Sequence, residues 1–406
     1  MQVFFSVGEP SGDLHGANLI RALGERNHDW QFVGYGGPRM AEAGCQLHAD
    51  LTQLAVMWIT QVLIHIRTFL KLVARADEYF EAHRPDLVVL IDYPGFNWWI
   101  ARKAKARNIP VVYYGTPQLW AWAGWRVSKM RRFVDHVLCK LPFEQEWFRQ
   151  RGCHATFVGH PYFDELKSRQ LDTAFVANQA SDRLVTILPG SRDQEIKSNL
   201  PSFLQAAGLI RKQVPDARFA VAVYKQSQLE RVQNIVEQSG VQLGGVAVEL
   251  HVNRTAELIH SARCCLACSG SVSLELLYHA KPSAILYQIS RSAYLMQKML
   301  RKVRYITLVN LLTAEDPFAD QSAGNYDPRD PRDQHVLMPE YLTCADRTAE
   351  LAGHAVAWLT DDALREQLEA DLQAIKERVA QGGASERAAE YITDLMRPRE
   401  APLSAA

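Results

Sequence analysis

The sequence predicts an α/β protein of two Rossmann-like halves, each built on a parallel sheet, with a helical C-terminal tail. Three observations predict it. Short apolar runs rich in β-branched residues alternate with longer helical patterns, as expected of βαβ units and parallel pairing. The alternation ends near residue 170 and then begins again. A chain of 406 residues also exceeds what one core fills, so about two domains are expected.

In the first half, strands are expected at 3–7, 87–91 and 111–114, with helices over 18–26 and 98–106. In the second, strands are expected at 184–188, 219–223, 246–250 and 264–267, with helices over 200–213 and 228–238. The stretch 167–183 has no clean period and is read as the linker, which sets the domains at 1–170 and 171–345. Residues 346–406 form the tail, with Trp358, Leu364, Leu368, Leu372 and Ile375 three or four apart, packing back on the domains or on a partner subunit. Residues 313–335, rich in Asp, Pro, Gly and Asn, read as a long irregular loop.

Lys plus Arg and Asp plus Glu each total 45, so no overall field recruits nucleic acid, and any affinity for anions must be local. The seven cysteines are an odd number and scattered, which suits free thiols in a reducing compartment. The N-terminus reads as a buried strand rather than a signal peptide, and no run reaches the roughly 18 apolar residues of a transmembrane helix. The expected location is therefore cytoplasmic, with any membrane contact peripheral.

Four strand-to-helix junctions carry the candidate chemistry, because open α/β sheets place their ligands at the carboxyl ends of the strands. Gly8-Glu9-Pro10-Ser11-Gly12-Asp13 lets a ligand approach the backbone, although its spacing is not that of the dinucleotide fingerprint. Ile91-Asp92-Tyr93-Pro94-Gly95-Phe96-Asn97 points Asp92 out of a sheet edge, where it can deprotonate a hydroxyl or simply cap the next helix. Gly190, Ser191 and Arg192 open the second half and offer a helix start and a cation to a diphosphate; the same residues also make a plain turn. Ser269, Gly270 and Ser271 suit phosphate, and Glu275 suits a ribose diol or a helix dipole. Cys264, Cys265 and Cys268 lie on an apolar strand with no matching pair of ligands, so no metal site is expected.

Two clusters mix apolar and basic residues. Trp120, Trp122 and Trp125 accompany Arg126, Lys129, Arg131 and Arg132; with Val56-Met57-Trp58-Ile59 and Trp98-Trp99 they suit either acyl chains or core packing. Arg291, Lys298, Arg301, Lys302 and Arg304, with Tyr294, Leu295, Met299 and Leu300 between them, suit an anionic membrane surface or a solvated helix face.

In their order along the chain, these segments resemble the lipid-A-disaccharide synthase family. The resemblance rests on the Gly-Glu-x-Ser-Gly-Asp start, Gly36-Gly37-Pro38-Arg39-Met40, Leu54-Ala55-Val56-Met57, the Asp92 segment, Trp120-Ala121-Trp122, Val158-Gly159-His160-Pro161, Leu188 to Arg192, Ser269 to Glu275, Pro339-Glu340 and Gly383-Ala384-Ser385-Glu386-Arg387. It implies the GT-B architecture, two Rossmann-like domains facing a cleft, and an inverting transfer that needs no metal and no cofactor. UDP-2,3-diacylglucosamine would donate to 2,3-diacylglucosamine 1-phosphate, giving the β-1,6-linked disaccharide 1-phosphate and UDP. By position the resemblance makes Asp92 the general base and sets Glu9 at the reacting centre. It gives Arg192 to the diphosphate, and Asn310 and Glu275 to the nucleotide. Met57, Trp58, Trp120 and Trp122 would serve the acceptor or its acyl chains, and peripheral contact with the inner membrane and a homodimer fit the same picture. Pro10, Thr116, Val272-Ser273, Val309 and Thr343 depart from the family's usual residues, and the loop 313–335 is longer than its norm. The nearest rival reading is a nucleotide-sugar 2-epimerase, and a nucleotide-binding scaffold without turnover is a third.

Overall fold

The structure is a computed structural model that describes residues 1–55, 66–240, 245–318 and 325–397. It divides into two compact units. The first joins Met1–Glu165 to Gln381–Ala406, and the second is Leu166–Ala380.

The first unit holds a seven-stranded sheet in the order β3-β2-β1-β4-β5-β6-β7, with every pairing parallel. Its strands are β1 Gln2–Val7, β2 Gln31–Gly36, β3 Cys45–Asp50, β4 Leu87–Ile91, β5 Val111–Tyr114, β6 His136–Cys139 and β7 Ala155–Phe157. Every residue of β4 and β5 is buried, as a sheet covered on both faces requires, and this explains their unbroken apolar runs. The order reverses between β1 and β4, which makes the space beyond their carboxyl ends the switch point of the sheet.

The second unit repeats the plan with six parallel strands, β10-β9-β8-β11-β12-β13. These are β8 Leu184–Leu188, β9 Arg218–Val223, β10 Val248–Val252, β11 Cys264–Cys268, β12 Ser283–Gln288 and β13 Glu340–Thr343. Here the reversal falls between β8 and β11.

Two of the motif loops are helix starts rather than free turns. The helix expected from residue 18 begins at Pro10 and runs to Arg26; that expected from residue 98 begins at Pro94 and runs to Ala106. In both, proline holds the first helical position, where its fixed φ and missing N–H cost nothing. The second helix of the tail, Asp362–Val379, lies in the second unit, whereas Ala384–Met396 lies in the first and packs on Pro10–Arg26. Asp164 caps that last helix from a distance, accepting the N–H groups of Gly383, Ala384 and Ser385 at 2.6, 3.2 and 3.0 Å.

The loop expected at 313–335 is tied down where it is described. Arg304, expected in an exposed basic cluster, is buried, and its guanidinium grips Asp333 at 2.5 Å and Asp330 at 3.0 Å. The Tyr305 hydroxyl also donates to Asp333, at 2.7 Å. Arg304 therefore leaves the basic cluster, because a fully desolvated guanidinium is stable only with its carboxylates.

Candidate active site

Both switch points collect the motifs. In the first unit β1 runs into Glu9 and β4 runs into Asp92, and these strands are neighbours in parallel register, Val7 beside Ile91. Asp92 and Tyr93 both adopt left-handed backbone, with φ of 46° and 42°. Two successive non-glycine residues in this region are strained, and such strain persists only where surrounding bonds overdetermine it.

Those bonds are present. The buried Asn97 donates from Nδ2 to the carbonyls of Asp92 at 2.8 Å, Ile91 at 3.2 Å and Ser6 at 3.2 Å, and accepts from Ser6 Oγ at 2.6 Å. The Tyr113 hydroxyl donates to the Asp92 carbonyl at 2.5 Å. Glycines clear the space around the elbow. A Cβ on Gly8 would stand 2.2 Å from the Tyr93 ring, and Gly115 has a φ of +72° beside the Asp92 carboxylate.

Lys140, at the end of β6, sets its ammonium 3.0 Å from Asp92 Oδ1, and both side chains are largely buried. Burial pushes the Lys140 ammonium down, but Asp92 foremost, then Glu144 and Glu9, push it up, and the net is upward from the usual lysine range. His15 is buried one turn into the first helix, and desolvation lowers it to about 4 against the opposing pull of Asp92. His160 is held well below the usual histidine range by burial, with Lys140 and His15 adding to it. The site thus presents one carboxylate pinned through one oxygen, an ammonium, and two histidines held neutral. Glu9 caps the first helix by position, and its charge is felt at Lys140, Tyr93 and Tyr113.

Trp120 and Trp122 part company. Trp120 is buried, packs edge-on against Phe143 and donates its indole N–H to the buried Glu144 at 2.9 Å, so its ring belongs to the core. Trp122 is half exposed, with the Arg126 guanidinium 5.0 Å from its ring. Met57 and Trp58 lie outside the described residues.

In the second unit, β8 leads into Gly190, Ser191 and Arg192, and its neighbour β11 leads into Ser269, Gly270 and Ser271. Gly190 has a φ of +120°, and a Cβ there would meet Glu195 at 2.5 Å. Glu195 accepts the N–H groups of Ser191 and Arg192 at 3.0 and 3.1 Å and the Arg192 guanidinium at 3.0 Å. The donors that the sequence offers to a diphosphate are therefore engaged by the chain's own carboxylate. Asn199 clamps the same switch point, donating to Cys268 Sγ at 3.3 Å and accepting from the Gln288 N–H at 2.9 Å. It is the counterpart of Asn97 in the first unit.

Glu275 is buried and accepts from Arg169 Nη1 at 2.6 Å. Asn310 is fully buried; its amide donates to the Met338 carbonyl at 2.7 Å and to Glu340 at 3.0 Å, and its oxygen accepts the Met338 N–H at 3.2 Å. Glu340 in turn accepts the N–H groups of Ile306 and Thr307 at 2.7 and 2.9 Å. Asn310 thus shapes the 306–310 segment from within. Lys140, Arg169 and Asn199 are not singled out by any sequence motif, since each gains meaning only from a partner dozens of residues away, whereas Glu195 closes the motif that begins at Leu188. Among the described residues no group of three or more His, Cys, Asp or Glu is placed to hold a metal ion.

The profile of the family described as Lipid-A-disaccharide synthetase matches residues 3–342. The chain belongs to the lipid-A-disaccharide synthase family. A lipid-A-disaccharide synthase from Myxococcus xanthus is 31% identical over 400 residues, covering 98% of each chain. The family membership makes the chain a glycosyltransferase of lipid A biosynthesis. Its fold is GT-B: MurG from Acinetobacter baumannii superposes with a TM-score of 0.57 at 11% identity, covering 97% of this chain and 99% of its own. The UDP-GlcNAc 2-epimerase from Neisseria meningitidis superposes with a TM-score of 0.62 at 12% identity, over 98% and 100% of the two chains. The epimerase likeness is one of fold; the sequence family separates the synthase reading from it. No helix among the described residues is long and apolar enough to cross a membrane.

Proposed function

We propose that the chain moves 2,3-diacylglucosamine from its UDP derivative to 2,3-diacylglucosamine 1-phosphate, forming the β-1,6-linked disaccharide 1-phosphate and UDP, with Asp92 as the base. The observation that carries this reading is the Asp92 elbow. A strained left-handed backbone holds a carboxylate at a sheet's switch point, with Oδ1 fixed by Lys140. Fixing one oxygen orients the other to take a proton from an acceptor hydroxyl, and orientation is most of what a general base needs. Glu9 and His15, on the neighbouring helix, complete the acceptor side.

On the donor side, Arg192, Ser191 and Gly190 with Ser269, Gly270 and Ser271 meet the diphosphate, and Glu195 is the carboxylate that the diphosphate displaces or shares. Glu275, held by Arg169, meets the ribose, and Asn310 acts by holding the segment beside the nucleotide. The acceptor and donor both carry acyl chains, so the enzyme works in peripheral contact with a membrane.

The experiment is direct. Purified protein receives UDP-diacylglucosamine and diacylglucosamine 1-phosphate, and the products are read by mass with UDP release in parallel. A disaccharide 1-phosphate whose formation needs the acylated acceptor supports transfer. Interconversion of UDP-sugars without acceptor would assign epimerisation instead.

A further inference from the structure

The helix Arg291–Leu300 in the second unit turns its apolar side outward. Ser292, Leu295, Met296, Met299 and Leu300 recur at i, i+3, i+4, i+7 and i+8, the stripe that a helix of a folded domain ordinarily buries. None of the ten residues of this helix is buried. Leu295 is 63% exposed, Met296 61% and Met299 79%.

The side that faces the protein is the polar one. Asn325 donates to the Tyr294 hydroxyl at 3.0 Å and to the Leu342 carbonyl of β13 at 2.8 Å, and accepts from Arg301 at 2.5 Å. Tyr294 and Arg301 are thus the residues that moor the helix, and the stripe of Leu295 and Met299 lies across the helix from them at about 100° per residue. The exposed Arg291 and Lys298 lie along one edge of the stripe and the exposed Lys302 just past the helix end, and the helix carries no acidic residue.

We infer that this helix is a membrane-contact surface, seating Leu295, Met296, Met299 and Leu300 at the acyl boundary while Arg291, Lys298 and Lys302 meet anionic lipid headgroups. An apolar stripe with a basic rim is the pattern of helices that lie in the plane of an anionic bilayer surface. A second copy of the chain is the poorer occupant, because a two-fold contact would bring the same cationic rims face to face. The inference deepens the proposed function by naming the surface through which peripheral contact is made, and it does not depend on the roles of Asp92 or Arg192.

The test is co-sedimentation of the full chain with vesicles of phosphatidylcholine alone and of phosphatidylcholine with phosphatidylglycerol. Expected is binding to the anionic vesicles that weakens with salt, on the order of tenfold weaker in the Leu295→Ser/Met299→Ser double variant. Lys298→Glu should lower binding to anionic vesicles and leave the neutral ones unchanged. UDP binding and the melting temperature serve as folding controls, since the substituted side chains are exposed. Wild-type protein that ignores both vesicles overturns the peripheral reading as well as this one. Variants that bind as wild type does overturn the assignment of this helix alone. A wild-type dimer that the double variant converts to monomer assigns the stripe to a second copy and overturns it too.

Discussion

Lys140 and Asp92 come from strands neighbouring β5 on either side, and they meet with Nζ 3.0 Å from Oδ1. The pair joins a positively charged group to the one carboxylate that the strained elbow presents. Everything proposed for the acceptor side turns on it.

Asp92→Asn keeps the shape of the elbow and removes the base. Turnover should fall by about 100- to 10,000-fold while UDP affinity, measured by calorimetry, stays near that of the wild type. Full turnover in that variant would take the base away from Asp92.

Lys140→Met leaves a largely buried carboxylate without its partner, and the expected cost is about 3 kcal/mol of stability by urea titration, with Lys140→Arg recovering part of it. The raised Lys140 pKa fixes the pH window. The stabilisation is complete below the ordinary lysine value of 10.5 and is lost only as pH rises through the higher folded value. Stability from this pair should therefore be flat across neutral pH.

His15 has the opposite sign. Its folded value of about 4 lies below the ordinary 6.5, so between these the unfolded chain binds more protons and stability falls as the solution is acidified. The loss reaches about 3 kcal/mol at pH 4. His15→Gln should make that part of the melting-temperature profile shallower, with His160 and His279, also lowered by burial, keeping part of the slope; an unchanged slope would mean His15 is not kept neutral by burial.

Arg192 carries a side chain that is 73% exposed, so Arg192→Ala should change stability by less than about 0.5 kcal/mol yet weaken the UDP-sugar by about 1 to 3 kcal/mol. Glu195→Ala removes the cap on two N–H groups and should cost about 1 kcal/mol of stability. If diphosphate takes those same N–H groups, Glu195→Ala will not weaken UDP, as a binding titration can show.

Asp333→Ala removes the closer of the two carboxylates that hold the buried Arg304 guanidinium, leaving Asp330 alone, and should destabilise the second unit by about 3 kcal/mol. Two-unit thermal unfolding would show the transition of the second unit moving while that of the first stays.

Much of the fold was legible. The strands at 87–91, 111–114 and 184–188 match the structure residue for residue, because central parallel strands are buried on both faces and read as unbroken apolar runs. Six strands have no counterpart in the sequence reading: β3, CQLHAD, is a half-buried edge, β6, β7 and β13 are three or four residues long, and β2 and β12, although largely buried, are interrupted by glycine, serine or glutamine. The three- and four-residue strands are too short to show a period, and the longer ones show neither an unbroken apolar run nor a clean alternation. The helix starts at Pro10 and Pro94 look like loops in the sequence, since proline and glycine punctuate both. Trp120 was the costliest ambiguity. An aromatic beside cations looks the same in sequence whether it meets a ligand or, as here, donates to a buried glutamate.

The two α/β halves, the family and the four strand-to-helix junctions are legible from the chain alone. These follow from local periodicity and from residues adjacent in the chain. Only the tertiary structure decided which junctions lie side by side, because strand order pairs β1 with β4 and β8 with β11 across long separations. It also decided the ionic partners, Lys140 for Asp92, Arg169 for Glu275 and Arg304 for Asp333. A charge gains its meaning from what stands within a few ångströms of it, and in a parallel sheet those neighbours arrive from distant crossovers.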